Sequence, residues 1–480
     1  MKRLLKAAMA AALAAAVSGC ATTTTTTTAK PAAAAKPAAA LAKGLDPQAA
    51  SNPFPSTYRP LPGHPTAVVG ATVFTGTGAR IDNGVVLMRD GKIEAVGANL
   101  TTPAGYETVD AHGRWVTPGI IDAHSHLGVY PAPEVPAHSD GNELTDPNTA
   151  QVWAEHSIWP QDPGFNRARA AGVTSLLVLP GSGNLFGGRG VVLRNVPGRT
   201  VQDMKFPGAP YVLKMACGEN PKRVYGSKGR FPSTRMGNVA GYRAAWINAA
   251  DYARRWDDYR AKAGRGEKAD PPKRDLQLDT LVGVLKGEIL VENHCYRADE
   301  MVQMIDISRE FGYHVTAFHH AVEAYKIADI LAKNDICVAT WANWWGFKLE
   351  MYDGIEANAA LVHAAGGCAI IKSDDPDLIQ RLNQEAAAAL AAGRAAGLEI
   401  SEADAIRWIT SNPAKALGIA AQTGSLEPGK RADLVIWDHD PFSIYARAQR
   451  VWIDGAATYD IADPRLQAKS DFELGQGAQK

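Results

Sequence analysis

Between residues 117 and 419 of this 480-residue chain, short apolar runs alternate with stretches of helical spacing. That alternation restricts the fold more than any other feature. "AGVTSLLVLPG", "APYVLKMACG", "GEILVENHC", "YHVTAFHH", "ICVATWAN" and "GCAIIKSDD" have the length and β-branched content of buried strands. "ADEMVQMIDISREFG" and "AVEAYKIADILAKND" lie between the later ones and repeat apolar residues at helical intervals. Strand and helix in turn, joined by short links, give a parallel sheet, because parallel neighbours need a crossover that a helix supplies. The number of units favours a closed, TIM-type α/β barrel over an open doubly wound sheet.

The two ends differ in style. Residues 61–116 carry "TAVVGATVFTG", "GVVLMRDGKIEAVG" and "YETVDAHGRWVTPG", and residues 420–465 carry "GSLEPGKRADLVIWDHD" and "RAQRVWIDGAATYD". Both stretches are strand-rich, with Asp-Gly and Gly punctuation. Residues 466–480 read as a tail. Residues 230–278 are longer than a normal crossover and read as an insertion, a helix followed by a charged, solvated loop. "LPGSGNLFGGRG" has the glycines of a phosphate loop but lacks its Lys-Ser/Thr, and reads as turns around a barrel loop. Cys217, Cys295, Cys337 and Cys368 have no CxxC spacing and read as buried free thiols.

"TPGIIDAHSHLGVY" raises the question of chemistry. In a strand, residues i and i+2 share a face, so His124 and His126 project together at the carboxyl end of the first barrel strand. Active sites of barrels lie at that end. Later runs end in the same way: "VENHCYRADE" offers His294, "AFHHAVEAYK" offers His319 and His320, and "IKSDDPD" offers Asp374 and Asp375. Four apolar runs ending in metal-competent side chains point to a shared ion. Imidazole and carboxylate suit a divalent transition metal, with Zn²⁺ the default and one or two ions per chain.

"TPGIIDAHSH", "ARAAGVTSLLVLPGSGN", "LKMACGENPKRVYG", "STRMG", "AFHHAVEAYKIADILA", "WANWWGFKLEMYDG", "SNPAKALGI" and "GSLEPGKRADLVIWD", in this order, resemble the amidohydrolase superfamily, in particular its imidazolonepropionase-like branch. The resemblance runs from about residue 64 to 460. It implies a (β/α)8 barrel with a small β-sandwich built from both chain ends. It also implies that His124 and His126 bind one metal and His294 and His320 a second. His320 aligns with the ligand histidine, whereas His319 points the other way along the strand, in a packing or supporting role. Asp374 follows Ser373 as in the family's last barrel strand, and would serve as both ligand and catalytic base. The bridging ligand is Glu219, at the loop end of its strand, with a carboxylated Lys214 as the alternative. Asp122 resembles the residue that steadies the first histidine pair.

The implied reaction is hydrolysis of an amide-type C–N bond. A bound divalent ion lowers the pKa of water to about 7, giving hydroxide as nucleophile, and Asp374 carries the proton to the leaving nitrogen. Arg223 and Tyr225 could bind a substrate carboxylate or order their loop. Trp344 and Trp345, beside Trp341, could receive an apolar or cationic side chain or pack the rim. A small-molecule substrate is expected, with a dipeptide or N-acyl amino acid favoured. Alternatives are a cyclic-amide hydrolase or deaminase with the same centre, or a binding lipoprotein without turnover. Lys plus Arg and Asp plus Glu are 50 each, so no excess of basic charge marks the chain for nucleic acid.

The extracytoplasmic setting comes from "MKRLLKAAMAAALAAAVSGC", with its basic start, apolar stretch and small residues before Cys20. "VSGC" resembles a bacterial lipobox, so residues 1–20 read as a lipoprotein signal peptide with Cys20 as the lipidated residue. Ala21 favours the outer membrane, periplasmic side. Residues 21–60, rich in Thr, Ala and Pro, read as a flexible tether. No feature of the sequence specifies an oligomer.

Overall fold

The structure is a computed structural model that describes residues 41–48, 52–344 and 346–467. Cys20 and Trp345 lie outside the described residues.

Strands β1 (Thr66–Phe74), β2 (Arg80–Arg89), β3 (Lys92–Ala98), β4 (Glu107–Asp110) and β5 (Trp115–Pro118) precede the barrel. Strands β14 (Leu434–Trp437), β15 (Ala448–Ile453) and β16 (Ala456–Asp460) follow it. Together they form one sheet in the order β16-β15-β14-β5-β1-β2-β3, with β4 on β1. The two chain ends meet where β14 pairs antiparallel with β5, Leu434 opposite Pro118. Val68, Val73, Val86, Val116, Leu434, Ile436 and Trp452 share one core, so the sheet closes over apolar side chains from both ends as a small sandwich.

The barrel strands are β6 (Ile120–Ser125), β7 (Val173–Val178), β8 (Phe186–Arg194), β9 (Val212–Ala216), β10 (Leu290–Cys295), β11 (Ala317–His320), β12 (Cys337–Thr340) and β13 (Cys368–Ile371). They are hydrogen-bonded neighbours in sequence order. Asp122 brings β13 back to β6: its Oδ1 accepts from the Ser373 N–H at 3.0 Å and its Oδ2 from the Ser373 hydroxyl. The Asp374 N–H donates to the His124 carbonyl at 2.8 Å. Helices Ala298–Phe311, Ala328–Lys333 and Asn358–Ala364 fill the links from β10 to β13. The first of them ends on Gly312 at φ 77°, a left-handed stop that glycine takes without strain.

Three expectations need correction. "FGGRG" is not a loop but part of β8, which runs antiparallel to both β7 and β9. Its glycines let neighbouring chain approach closely: at Gly188, φ 114°, a Cβ would clash with the Val152 carbonyl oxygen at 2.3 Å. The four barrel cysteines are not free thiols, since Cys217–Cys295 and Cys337–Cys368 are disulfides. Residues distant in sequence become neighbours in the sheet; Cys337 and Cys368 are direct register partners. The helix expected within residues 230–278 is Arg235–Gly264, which buries Tyr242, Trp246, Ala249, Tyr252 and Trp256, and a largely exposed loop follows it. With Leu276–Leu285, whose start Asp275 caps by accepting from Gln277 and Leu278 N–H, it supplies the link from β9 to β10. Finally, the end of the expected tether is anchored, as the Thr57 N–H donates to the Gln202 carbonyl at 3.0 Å and Tyr58 bonds Asp454.

Candidate metal centre

The carboxyl ends of the parallel barrel strands gather the side chains expected from the sequence. His124 comes from β6 with His126 one residue beyond it, His294 from β10, and His320 from the end of β11. Asp374 stands three residues beyond β13. His320 and Asp374 have φ values of 67° and 70°, left-handed conformations that β carbons disfavour. Such turns at strand ends swing both side chains into the barrel mouth. They also correct the placement of His319. Strand alternation continues through His319, which points inward among the ligands, and His320 joins it because its backbone departs from the strand.

The His124 and His126 Nε2 atoms lie 3.3 Å apart. Each is 3.2 Å from Asp374 Oδ1. Ligand bonds of about 2.0–2.1 Å in a tetrahedral site place neighbouring donors about 3.3 Å apart, so this triangle fits a zinc-sized ion. The Leu179 carbonyl lies 2.9 Å from His126 Nδ1 and can only accept, which places the proton on Nδ1 and leaves Nε2 bare. One ligand atom each from His124, His320 and Asp374 can be chosen within 4.8 Å of one another. Both ring nitrogens of His294 and Nε2 of His320 are buried without a hydrogen-bond partner among the described residues. Their rings are 4.1 Å apart. Buried imidazole nitrogens are rarely left unpaired, and a cation satisfies them.

Electrostatics agree with ligand duty. Burial drives His124, His294 and His320 well below the usual imidazole pKa, so they stay neutral as coordination requires. Burial pushes Asp374 upward, but Lys372, His124 and His320 outweigh it and hold the carboxyl well below its ordinary range.

Of the two bridging candidates, the structure brings in Lys214 rather than Glu219. Lys214 is fully buried, with Nζ 3.3 Å from His124 Nε2. Burial lowers its pKa to about 8, against the pull of Asp374 and Glu292. Glu219 starts the helix Glu219–Gly226 after the chain turns at Gly218, φ 80°, which sends its carboxylate to the rim, 3.4 Å from Lys348 Nζ.

Tyr225 is fully buried and its hydroxyl donates to the Asp146 carbonyl at 2.6 Å, so it orders loops rather than facing substrate. Arg223 is exposed on the same helix. Trp344 stacks on Trp341 with ring centroids 5.3 Å apart, and Trp341 in turn packs 4.7 Å from His320. Asp122 accepts from the His124 N–H at 3.1 Å, fixing the strand rather than an imidazole. Asp375 caps the following turn by accepting from Asp377 and Leu378 N–H.

Lys372 and Glu292 escaped the sequence reading. Lys372 Nζ sits 3.0 Å from His320 Nδ1, 3.3 Å from Asp374 and 3.6 Å from the Trp341 ring centre. Burial takes its pKa to about 7, opposed by Asp374. Glu292 lies beneath the ligands, 2.6 Å from His319 Nε2. Each stands two residues before a candidate ligand. A charged residue at that spacing in an otherwise apolar strand was the available signal.

This geometry has known counterparts. Residues 290–467 match the Amidohydrolase family. A crystal structure of an amidohydrolase from Thermotoga maritima is 36% identical with a TM-score of 0.75, covering 82% of this chain and 100% of that one. Amidohydrolase tasK of Hapsidospora irregularis is 32% identical over 453 residues, 89% of this chain and 45% of that protein. The chain therefore spans less than half the length of that relative. Imidazolonepropionase of Mesorhizobium japonicum is 25% identical over 408 residues, 75% of this chain and 87% of that protein.

Proposed function

Because the chain belongs to the imidazolonepropionase-like branch of the amidohydrolase superfamily, whose members are generally divalent-metal dependent, we propose that it hydrolyses an amide-type C–N bond. The substrate class we propose is a small dipeptide or N-acyl amino acid met outside the cytoplasm. The observation that carries the reading is the convergence of five metal-competent side chains from β6, β10, β11 and the turns that follow β6 and β13, with bare nitrogens turned inward.

His124, His126 and Asp374 would hold one Zn²⁺, and His294 and His320 a second, with Lys214 between them as a carboxylated bridge. A divalent cation there supplies acidification of water to a pKa of about 7 and polarisation of a carbonyl oxygen. Asp374, kept ionised by its cationic and imidazole neighbours, accepts the proton of the attacking water and returns it to the leaving nitrogen. Trp341 and Tyr296 pack on His320 and keep bulk water from that side of the centre. Export on a lipid-modified Cys20 would place this site facing the periplasm. Among the described residues, no helix is long and apolar enough to cross a membrane.

The test is a hydrolysis screen over dipeptides, N-acyl amino acids and cyclic amides. The expected result is turnover of a linear substrate, abolished by chelation and reduced at least ~100-fold in His294→Ala and Asp374→Asn. Turnover that survives both substitutions overturns the mechanism. Turnover confined to cyclic amides overturns the substrate class.

A further inference from the structure

We propose that Glu292 and His319 form a positioning relay that sets the ring proton of His124, and through it the strength of the metal site; this rests on the metal reading above. The three groups form one line of hydrogen bonds. Glu292 Oε2 is 2.6 Å from His319 Nε2, and His319 Nδ1 is 2.8 Å from His124 Nδ1. The remaining nitrogen, His124 Nε2, is the atom that meets His126 and Asp374.

The direction of the line follows from its free end. For His124 Nε2 to offer a lone pair to a cation, its proton must sit on Nδ1 and be donated to His319 Nδ1. His319 must then carry its own proton on Nε2 and donate it to Glu292. Burial pushes the Glu292 carboxyl up and Lys214 opposes it; in the metal-loaded site each group has one role, and the line ends on Glu292 as the acceptor. A ligand histidine backed by a carboxylate is held in tautomer and ring orientation and made a better donor. Here the carboxylate acts from one imidazole further away.

Packing alone does not account for these groups. Glu292 and His319 are fully buried inside the barrel, where layers of branched apolar side chains are the rule. Glu292 Oε1 has no hydrogen-bond partner among the described residues, so the site bears an unsatisfied oxygen. A core built only for stability avoids that cost. The strands hold the geometry: Glu292 pairs with Ala317 and His294 with His319 in the β10–β11 register. Glu292 and the ligand His294 therefore stand on one face of β10, two residues apart.

The experiment compares metal-stripped wild type with Glu292→Gln, in which amide hydrogens replace a pure acceptor. Zn²⁺ affinity is read by competition with a chelating dye. The ring tautomer of His124 is read by long-range ¹H–¹⁵N correlation on the metal-stripped protein. The proposal expects a 10–100-fold weaker affinity in the variant, with His124 losing its uniform Nδ1–H form. A purely structural role would lower the melting temperature and leave the tautomer unchanged. The double variant Glu292→Leu, His319→Leu removes both partners together and serves if the single variant does not fold. Wild-type affinity and tautomer in either folded variant overturn the relay. Absence of Zn²⁺ binding in the wild type would instead remove the metal reading beneath it.

Discussion

At the residue scale, Asp122 separates a role in the fold from a role in chemistry. It is fully buried, and desolvation lifts its pKa from 3.8 to about 6 despite hydrogen bonds from Ser373 and His124. A folded-state pKa above the unfolded value means that the native state holds this proton more tightly. The resulting stabilisation is complete below pH 3.8 and is lost as pH rises through about 6. Melting curves of wild type and Asp122→Asn should show it. The difference in melting temperature, wild type minus variant, is expected to fall from pH 4 to pH 6, and a difference that grows over this window contradicts the assignment. The candidate histidine ligands were legible in the sequence because each ends an apolar run. Lys214, Lys372 and Glu292 were harder to see, because a charge inside a strand is informative only once its partners across the barrel are known. Glu219 misled because loop-end position does not reveal that Gly218 turns the chain away from the mouth.

At the element scale, the later strand–helix units were legible from periodicity, and β8 was not. Its glycines carry no side-chain pattern, and what makes it a strand is hydrogen bonding to β7 and β9. Gly188→Ala is expected to destabilise the protein by more than about 1 kcal/mol, through positive φ and contact with the Val152 carbonyl. Chemical denaturation checks this, and an unchanged midpoint would return the segment to a loop. The disulfides escaped for a related reason, since separations of 78 and 31 residues say nothing of strand adjacency. Thiol titration of the denatured, unreduced protein should detect none of Cys217, Cys295, Cys337 and Cys368, and four further thiols after reduction.

At the scale of the whole molecule, barrel and sandwich are joined by a buried ionic network. Arg194 of β8 is fully buried and donates to Asp433 Oδ2 at 2.7 Å; Asp433 also accepts from Thr423 and from the Asp454 N–H. Arg194→Met leaves the buried Asp433 without its cation, while Asp454 keeps Arg431, and is expected to cost roughly 3–5 kcal/mol in urea unfolding. A loss below about 1 kcal/mol would mean that the network contributes little. The two-part architecture was readable because strand-rich ends flank an alternating centre, but this joint uses single charged residues from distant segments. The lipid anchor we propose is tested by Cys20→Ala, which should move the protein from the membrane fraction to the soluble fraction of the envelope.

The central claim is that the barrel mouth holds a divalent cation on its histidines and Asp374. Anomalous diffraction from a zinc-loaded crystal, recorded across the metal edge, tests it most directly. The account predicts a peak about 2.0–2.2 Å from Nε2 of His124 and His126 and from a carboxylate oxygen of Asp374. A zinc-loaded, hydrolytically active crystal with no anomalous peak at those atoms would contradict it.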